Sequence, residues 1–172
     1  MSKKNILNGK RILIVDDEPD VLDILEESLR TCAITKASNF TSAKEMLETK
    51  VFDMAILDIM GVDGYALLEI ANSKKIPAVM LTAHAFTPDN LLKSMKEGAA
   101  SYLPKEEITG IAEFLAELFE AKEKGLSPWT PWENRFPSSY FLTRFGAAWK
   151  SADKEFLDQL KEVLKQRGSV KQ

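Results

Sequence analysis

A chain of 172 residues is long enough for one ordinary domain with its own core plus an extension, and a two-domain layout is compatible with it. With 45% hydrophobic and 28% charged residues it is too apolar for a disordered chain and too interrupted for a membrane one, and no apolar run approaches spanning length. The net charge of −3 selects no partner, and a single cysteine, Cys32, excludes an internal disulfide and a cysteine-based metal site.

The charge is unevenly placed: residues 1 to 125 hold 15 basic against 21 acidic side chains, residues 126 to 172 hold 8 against 5. A mildly basic tail is not a nucleic-acid footprint, so nucleic acid is a disfavoured partner. The basic start precedes an apolar run, Ile12 to Val15, too short for a signal peptide, which predicts a cytoplasmic protein without membrane attachment.

Arg11 to Val15 is a short apolar run that stops at Asp16-Asp17-Glu18-Pro19. It reads as a strand buried on both faces, with Pro19 suited to the first turn of a helix. Val21, Leu22, Leu25 and Leu29 recur at helical spacing, with acids at 20, 23, 26 and 27 on the other side. A weaker strand at Ala33 to Ala37 precedes a helix opening near Thr41-Ser42, where Thr41 to Lys44 or Ser42 to Glu45 supplies the cap, the latter as a capping box. Phe52 to Asp58 is the third strand, followed after Asp63-Gly64 by a helix carrying Tyr65, Leu67, Leu68 and Ile70. Pro77 to Thr82 is the fourth, with a helix from about Pro88 to Glu97 that Gly98 closes as a left-handed cap. Ala100 to Leu103 is the fifth, and Ile108, Ile111, Ala112, Leu115, Leu118 and Phe119 mark the last helix of the series. Five such alternations predict an α/β fold, a doubly wound parallel sheet with helices on both faces.

At Gly125 the composition changes. Residues 125 to 137 hold Pro128, Pro131 and Pro137 and are expected to form a connector that cannot be a helix interior. Eight of the fifteen aromatics, including all three tryptophans, follow Gly125, which argues against a disordered tail. Phe141, Leu142, Phe145, Ala148 and Trp149, then Phe156, Leu157, Leu160, Val163 and Leu164, predict an amphipathic helical extension over 138–167. It is expected to cover an apolar face of the sheet domain or of a second copy in a homodimer.

Asp16-Asp17, Asp58, Thr82 and Lys105 each follow a different predicted strand. In a parallel sheet all those ends share one edge, where open α/β sheets place their ligands. Three carboxylates gathered there repel one another unless a divalent cation binds or their pKa values rise. Oxygen ligands suit Mg²⁺, and a lysine with a hydroxyl beside it completes a clamp for a phosphoryl group.

At this point the chain resembles the receiver domains of two-component response regulators. The matching stretches are Ile12-Leu13-Ile14-Val15-Asp16-Asp17-Glu18, Ile56-Leu57-Asp58-Ile59-Met60 with Asp63-Gly64, Met80-Leu81-Thr82-Ala83, and Gly98 to Lys105; together the resemblance covers about 9–124. It implies the flavodoxin-like strand order 2-1-3-4-5. It further implies that Asp58 accepts a phosphoryl group from a sensor histidine kinase or a phosphotransfer relay protein, a signalling role and not that of a turnover enzyme. Asp17 and Asp58 would bind Mg²⁺ directly and Asp16 through water, with the Met60 backbone carbonyl completing the set. Lys105 would contact a phosphoryl oxygen, while Thr82 and Tyr102 would act as the switch pair. Ala83 leaves room beside the site, and His84, the sole histidine, is placed at its mouth.

Two departures stand out. The Ile59-Met60-Gly61-Val62 loop is two residues shorter than the family usually has and lacks its Met-Pro, which is where phosphoryl lifetime and partner choice are expected to differ. After Lys105 comes Glu106 instead of the usual proline, so a cis peptide there is not assumed. Taken singly, each signal has a plain reading: a helix start at Asp-Asp-Glu-Pro, a strand-ending Thr82, a solvated Lys105, a core Tyr102. Two alternatives follow: a phosphohydrolase of the haloacid dehalogenase type, whose nucleophile sits in an Asp-x-Asp after the first strand, and a degenerate receiver that only binds partners.

Overall fold

The computed structural model describes residues 6–83 and 88–136 and, beyond them, only positions 158 and 162. Five strands, β1 (Arg11–Val15), β2 (Ala33–Ala37), β3 (Met54–Asp58), β4 (Ala78–Thr82) and β5 (Ser101–Pro104), pair in parallel in the order β2-β1-β3-β4-β5. The burial of the inner strands matches this order, which the receiver resemblance implied. β3 and β4 are buried along their whole length and β1 at every residue but Arg11, as strands covered by helices on both faces must be. β2, at an edge, keeps only Ala37 buried, which is why its run reads weakly in the sequence.

The connecting helices are α1 (Pro19–Ser28), α2 (Phe40–Thr49), α3 (Gly64–Ser73), α4 (Pro88–Lys96) and α5 (Ile111–Glu123). From β1 the chain turns to β2 on one side and then returns to β3 on the other. A crevice therefore opens at the carboxyl ends of β1 and β3, the switch point of the sheet.

Three expectations are corrected. The cap of α2 is Asn39, whose side chain accepts from the Ser42 backbone N–H at 2.9 Å, so neither Thr41 nor Ser42 is the capping residue. Ser42 instead donates its hydroxyl to the same Asn39 oxygen. The last helix starts later than its apolar stripe suggests, because Lys105–Gly110 forms a 3₁₀ turn. In a 3₁₀ turn residues three apart eclipse, so Ile108 and Ile111 share a buried face without belonging to one α-helix.

The third correction concerns the prolines. Trp129–Arg135 is a helix, α6, with Pro128 as its N-cap and Pro131 inside it. Pro131 is the third helical residue, and the first-turn N–H groups have no acceptor within a helix, so its missing donor leaves nothing broken. Gly98, by contrast, closes α4 as expected, at φ +91° with the Ala99 N–H on Ser94 O at 2.9 Å.

The chain divides into two compact units, Met1–Glu117 and Leu118–Gln172. Within the second, Trp129 and Trp132 are buried and meet edge to face at 5.5 Å, and Phe136 lies 5.5 Å from Trp132. Residues 138–167, predicted as an amphipathic extension, lie outside the described residues but for positions 158 and 162.

Candidate functional site

The end of β1 carries Asp16, fully buried, and the end of β3 carries Asp58, 3% exposed. Lys105 begins the 3₁₀ turn directly after β5 and reaches back across the edge. Its ammonium stands 2.8 Å from Asp16 Oδ2, 2.9 Å from Glu18 Oε1 and 3.2 Å from Asp58 Oδ1. The other Asp16 oxygen accepts from the Glu18 backbone N–H at 2.9 Å. Asp17 is exposed, and Asp16, Asp17 and Glu18 each bring one carboxylate oxygen within 4.8 Å of the others.

Thr82 ends β4, one position beyond the Leu81 that pairs with Asp58, and is 1% exposed. Its hydroxyl oxygen is buried with no hydrogen-bond partner among the described residues. Tyr102, on β5, is fully buried, whereas Ala83 and Met60 are exposed. His84 lies outside the described residues. All peptide bonds among the described residues are trans, those flanking Lys105 included.

Three carboxylates thus face one ammonium, with that of Asp17 close by, and the electrostatics follow. Burial pushes the Asp58 pKa up from 3.8 to about 6; the Asp16 charge adds to this, Lys105 pulls the other way, and Asp17 adds a smaller upward push. Asp16 is also raised, by its burial against the opposing pull of Lys105 and of the Glu18 N–H. For Lys105, burial lowers the pKa, but the hydrogen bonds to Asp16 and Glu18 and the charges of Asp58 and Asp16 outweigh it. Lys105 is held firmly protonated. A set of hard oxygen donors carrying more negative charge than one lysine neutralises fits a small divalent cation such as Mg²⁺.

The model of the response regulator receiver domain matches residues 12–116. This chain belongs to that family. Among curated proteins it is similar to the two-component response regulator ARR18 of Arabidopsis thaliana, 40% identical over 103 residues that make up 56% of this chain and 16% of that protein. It is also similar to ORR21 of Oryza sativa subsp. indica, 36% identical over 104 residues, 56% of this chain and 15% of that protein. The chain therefore spans less than a fifth of the length of these curated relatives. A CheY-like receiver domain protein from Methanospirillum hungatei JF-1 superposes with a TM-score of 0.62 at 28% identity, covering 68% of this chain and 98% of the other. The Mn²⁺-bound form of response regulator Rcp1 shares the fold with a TM-score of 0.55 at 21% identity, covering 63% of this chain and 95% of that one.

Receiver domains are signalling phosphoacceptors of two-component systems; in general they bind Mg²⁺ at an acidic pocket and meet histidine kinases or phosphotransfer proteins. The family match favours the receiver reading over the phosphohydrolase one. No helix among the described residues is long and apolar enough to cross a membrane.

Two features of this receiver domain escape a reading of its sequence. Glu18 occupies the N-cap position of α1 yet makes no side-chain cap; it turns instead to Lys105. The signal was the run of three acids, one more than a helix start needs. The second is steric: a Cβ on Gly64 would run into the Asp58 carbonyl oxygen, so the first residue of α3 must be glycine for the helix to start this close to the site.

Proposed function

We propose that this receiver takes a phosphoryl group onto Asp58 from the phosphohistidine of a sensor histidine kinase or relay protein. An Asp58 carboxylate oxygen attacks phosphorus, the bond from phosphorus to the donor imidazole nitrogen breaks, and its electron pair leaves with the imidazole. The product is an acyl phosphate. The observation that supports this best is the convergence of Asp58, Asp16 and Lys105 at one sheet edge, with Asp58 the nearly buried carboxylate that shares the lysine.

Asp17 and Asp58 would hold Mg²⁺ directly, Asp16 through water, and Met60 through its backbone carbonyl. Bound there, the ion would neutralise charge on the phosphoryl oxygens during transfer. Lys105, now shared among three carboxylates, pairs with a phosphoryl oxygen once the group is in place. The Thr82 hydroxyl, without a hydrogen-bond partner among the described residues, is the donor available to a new oxygen nearby, and Tyr102 on the neighbouring strand relays its shift to the surface. Water attack on the same phosphorus breaks its bond to the Asp58 oxygen, releases inorganic phosphate and restores the carboxylate, a step the same site residues assist. The working unit is 9–124, in the cytoplasm. Residues 125–137 and 138–167 carry contact with a protein partner or a second copy.

The test is incubation of the whole chain with Mg²⁺ and a small phosphodonor, followed by intact mass. The wild type gains one phosphoryl group and Asp58→Asn gains none. A wild type that stays unmodified points to a receiver that only binds partners, and steady hydrolysis of a free phosphate ester undiminished by Asp58→Asn would refute the mechanism.

A further inference from the structure

The β3–α3 loop has its two ends pinned. Ile59 and Val62 are buried, the Gly64 N–H donates to Ile59 O at 3.2 Å, and Gly64 is packed so tightly against Asp58 that it cannot carry a Cβ. Between these pins Gly61 takes φ +87° and Asp63 φ +54°, two left-handed residues that turn the chain in a short span. The turn presses Gly61 against the Asp17 carboxylate. A Cβ at Gly61 would lie 2.5 Å from Asp17 Oδ2, 2.7 Å from Cγ and 2.8 Å from Oδ1.

These are the far atoms of an exposed side chain, so a methyl group at 61 would displace the Asp17 carboxylate and leave the fold intact. A longer loop could swing clear of Asp17; this one, fixed at Ile59, Val62 and Gly64, has no slack. We infer that Gly61 is a positioning residue of the cation site: its missing side chain lets the short loop close over Asp17 and fixes where that carboxylate stands. The inference rests on reading Asp17 as a cation ligand. It gives the shortened loop a specific requirement, a glycine at its third position, which the sequence meets.

The control is built into the chain. Gly9 also has positive φ, +78°, and a methyl group placed there would meet nothing within 4 Å, so Gly9→Ala suffers the same kind of backbone strain without touching the site. The experiment is calorimetric titration of Mg²⁺ into the unphosphorylated full chain, with a melting curve for each variant. Gly61→Ala and Gly9→Ala are expected to melt within a few degrees of each other. Gly61→Ala should bind Mg²⁺ roughly tenfold or more weakly than wild type, as loss of ligand-orienting contacts does elsewhere, while Gly9→Ala binds like wild type. Equal affinity in Gly61→Ala and wild type overturns the inference, and so does a Gly61→Ala chain that fails to fold where Gly9→Ala folds. Asp17→Asn separates the levels. If it binds Mg²⁺ like wild type, the ligand reading itself fails and the inference with it; if it loses binding while Gly61→Ala does not, only the inference fails.

Discussion

Asp58 is ionised against its surroundings. Its pKa of about 6 in the folded chain stands above the 3.8 of the unfolded one, so the folded state favours the protonated acid. The stability this contributes is complete below pH 3.8 and is lost as pH rises through about 6. That rise in pKa corresponds to ~3 kcal/mol. In EDTA, urea denaturation should therefore find Asp58→Asn close to the wild type near pH 4 and up to about 3 kcal/mol more stable at pH 7.5. A gap that does not change with pH would contradict the burial argument. At this scale the sequence was legible where a charge or hydroxyl ended an apolar run that alternated with helical patterns, because in such a series the run reads as a buried strand whose end lies at the sheet edge. Asp16, Asp58, Thr82 and Lys105 were placed that way. Glu18 was not, since an acid before Pro19 satisfies a helix start just as well. Gly61 was not either, because its meaning lies in Asp17, a contact across two loops that no local pattern records.

Among the elements, the strands followed from the apolar runs and their order from the family resemblance; Pro19, Gly64 and Pro88 marked three helix starts, while those of α2 and α5 were missed. The α2 start shows why: Asn39, Thr41 and Ser42 all carry side chains able to cap, and the choice is made by which residue holds extended backbone. Asn39 does, at φ −152° and ψ 166°. Asn39→Ala should cost about 1 kcal/mol in denaturant unfolding and Thr41→Ala only a few tenths; the reverse order would return the cap to Thr41. Pro131 teaches the complementary lesson, that proline breaks a helix by its position and not by its presence. The Lys105–Gly110 turn was hidden because a three-residue and a four-residue repeat place Ile108 and Ile111 on one face alike.

The molecule as a whole joins an acidic first part, where the receiver family match lies, to a more basic remainder rich in aromatic residues. The family match lies in the first part, and its family was legible because the matching residues fall at separate strand ends. Among the described residues of the second part, Trp132 packs against Trp129 and Phe136, and such packing names no chemistry. The central claim is that one carboxylate of this chain carries the phosphoryl group. It is tested most directly by treating the chain with phosphodonor and Mg²⁺, reducing the acyl phosphate with borohydride, and mapping the reduced residue by peptide mass spectrometry. Reduction at position 58, dependent on Mg²⁺, is the predicted result; a label at Asp16, Asp17 or His84, or one that resists reduction, would contradict it.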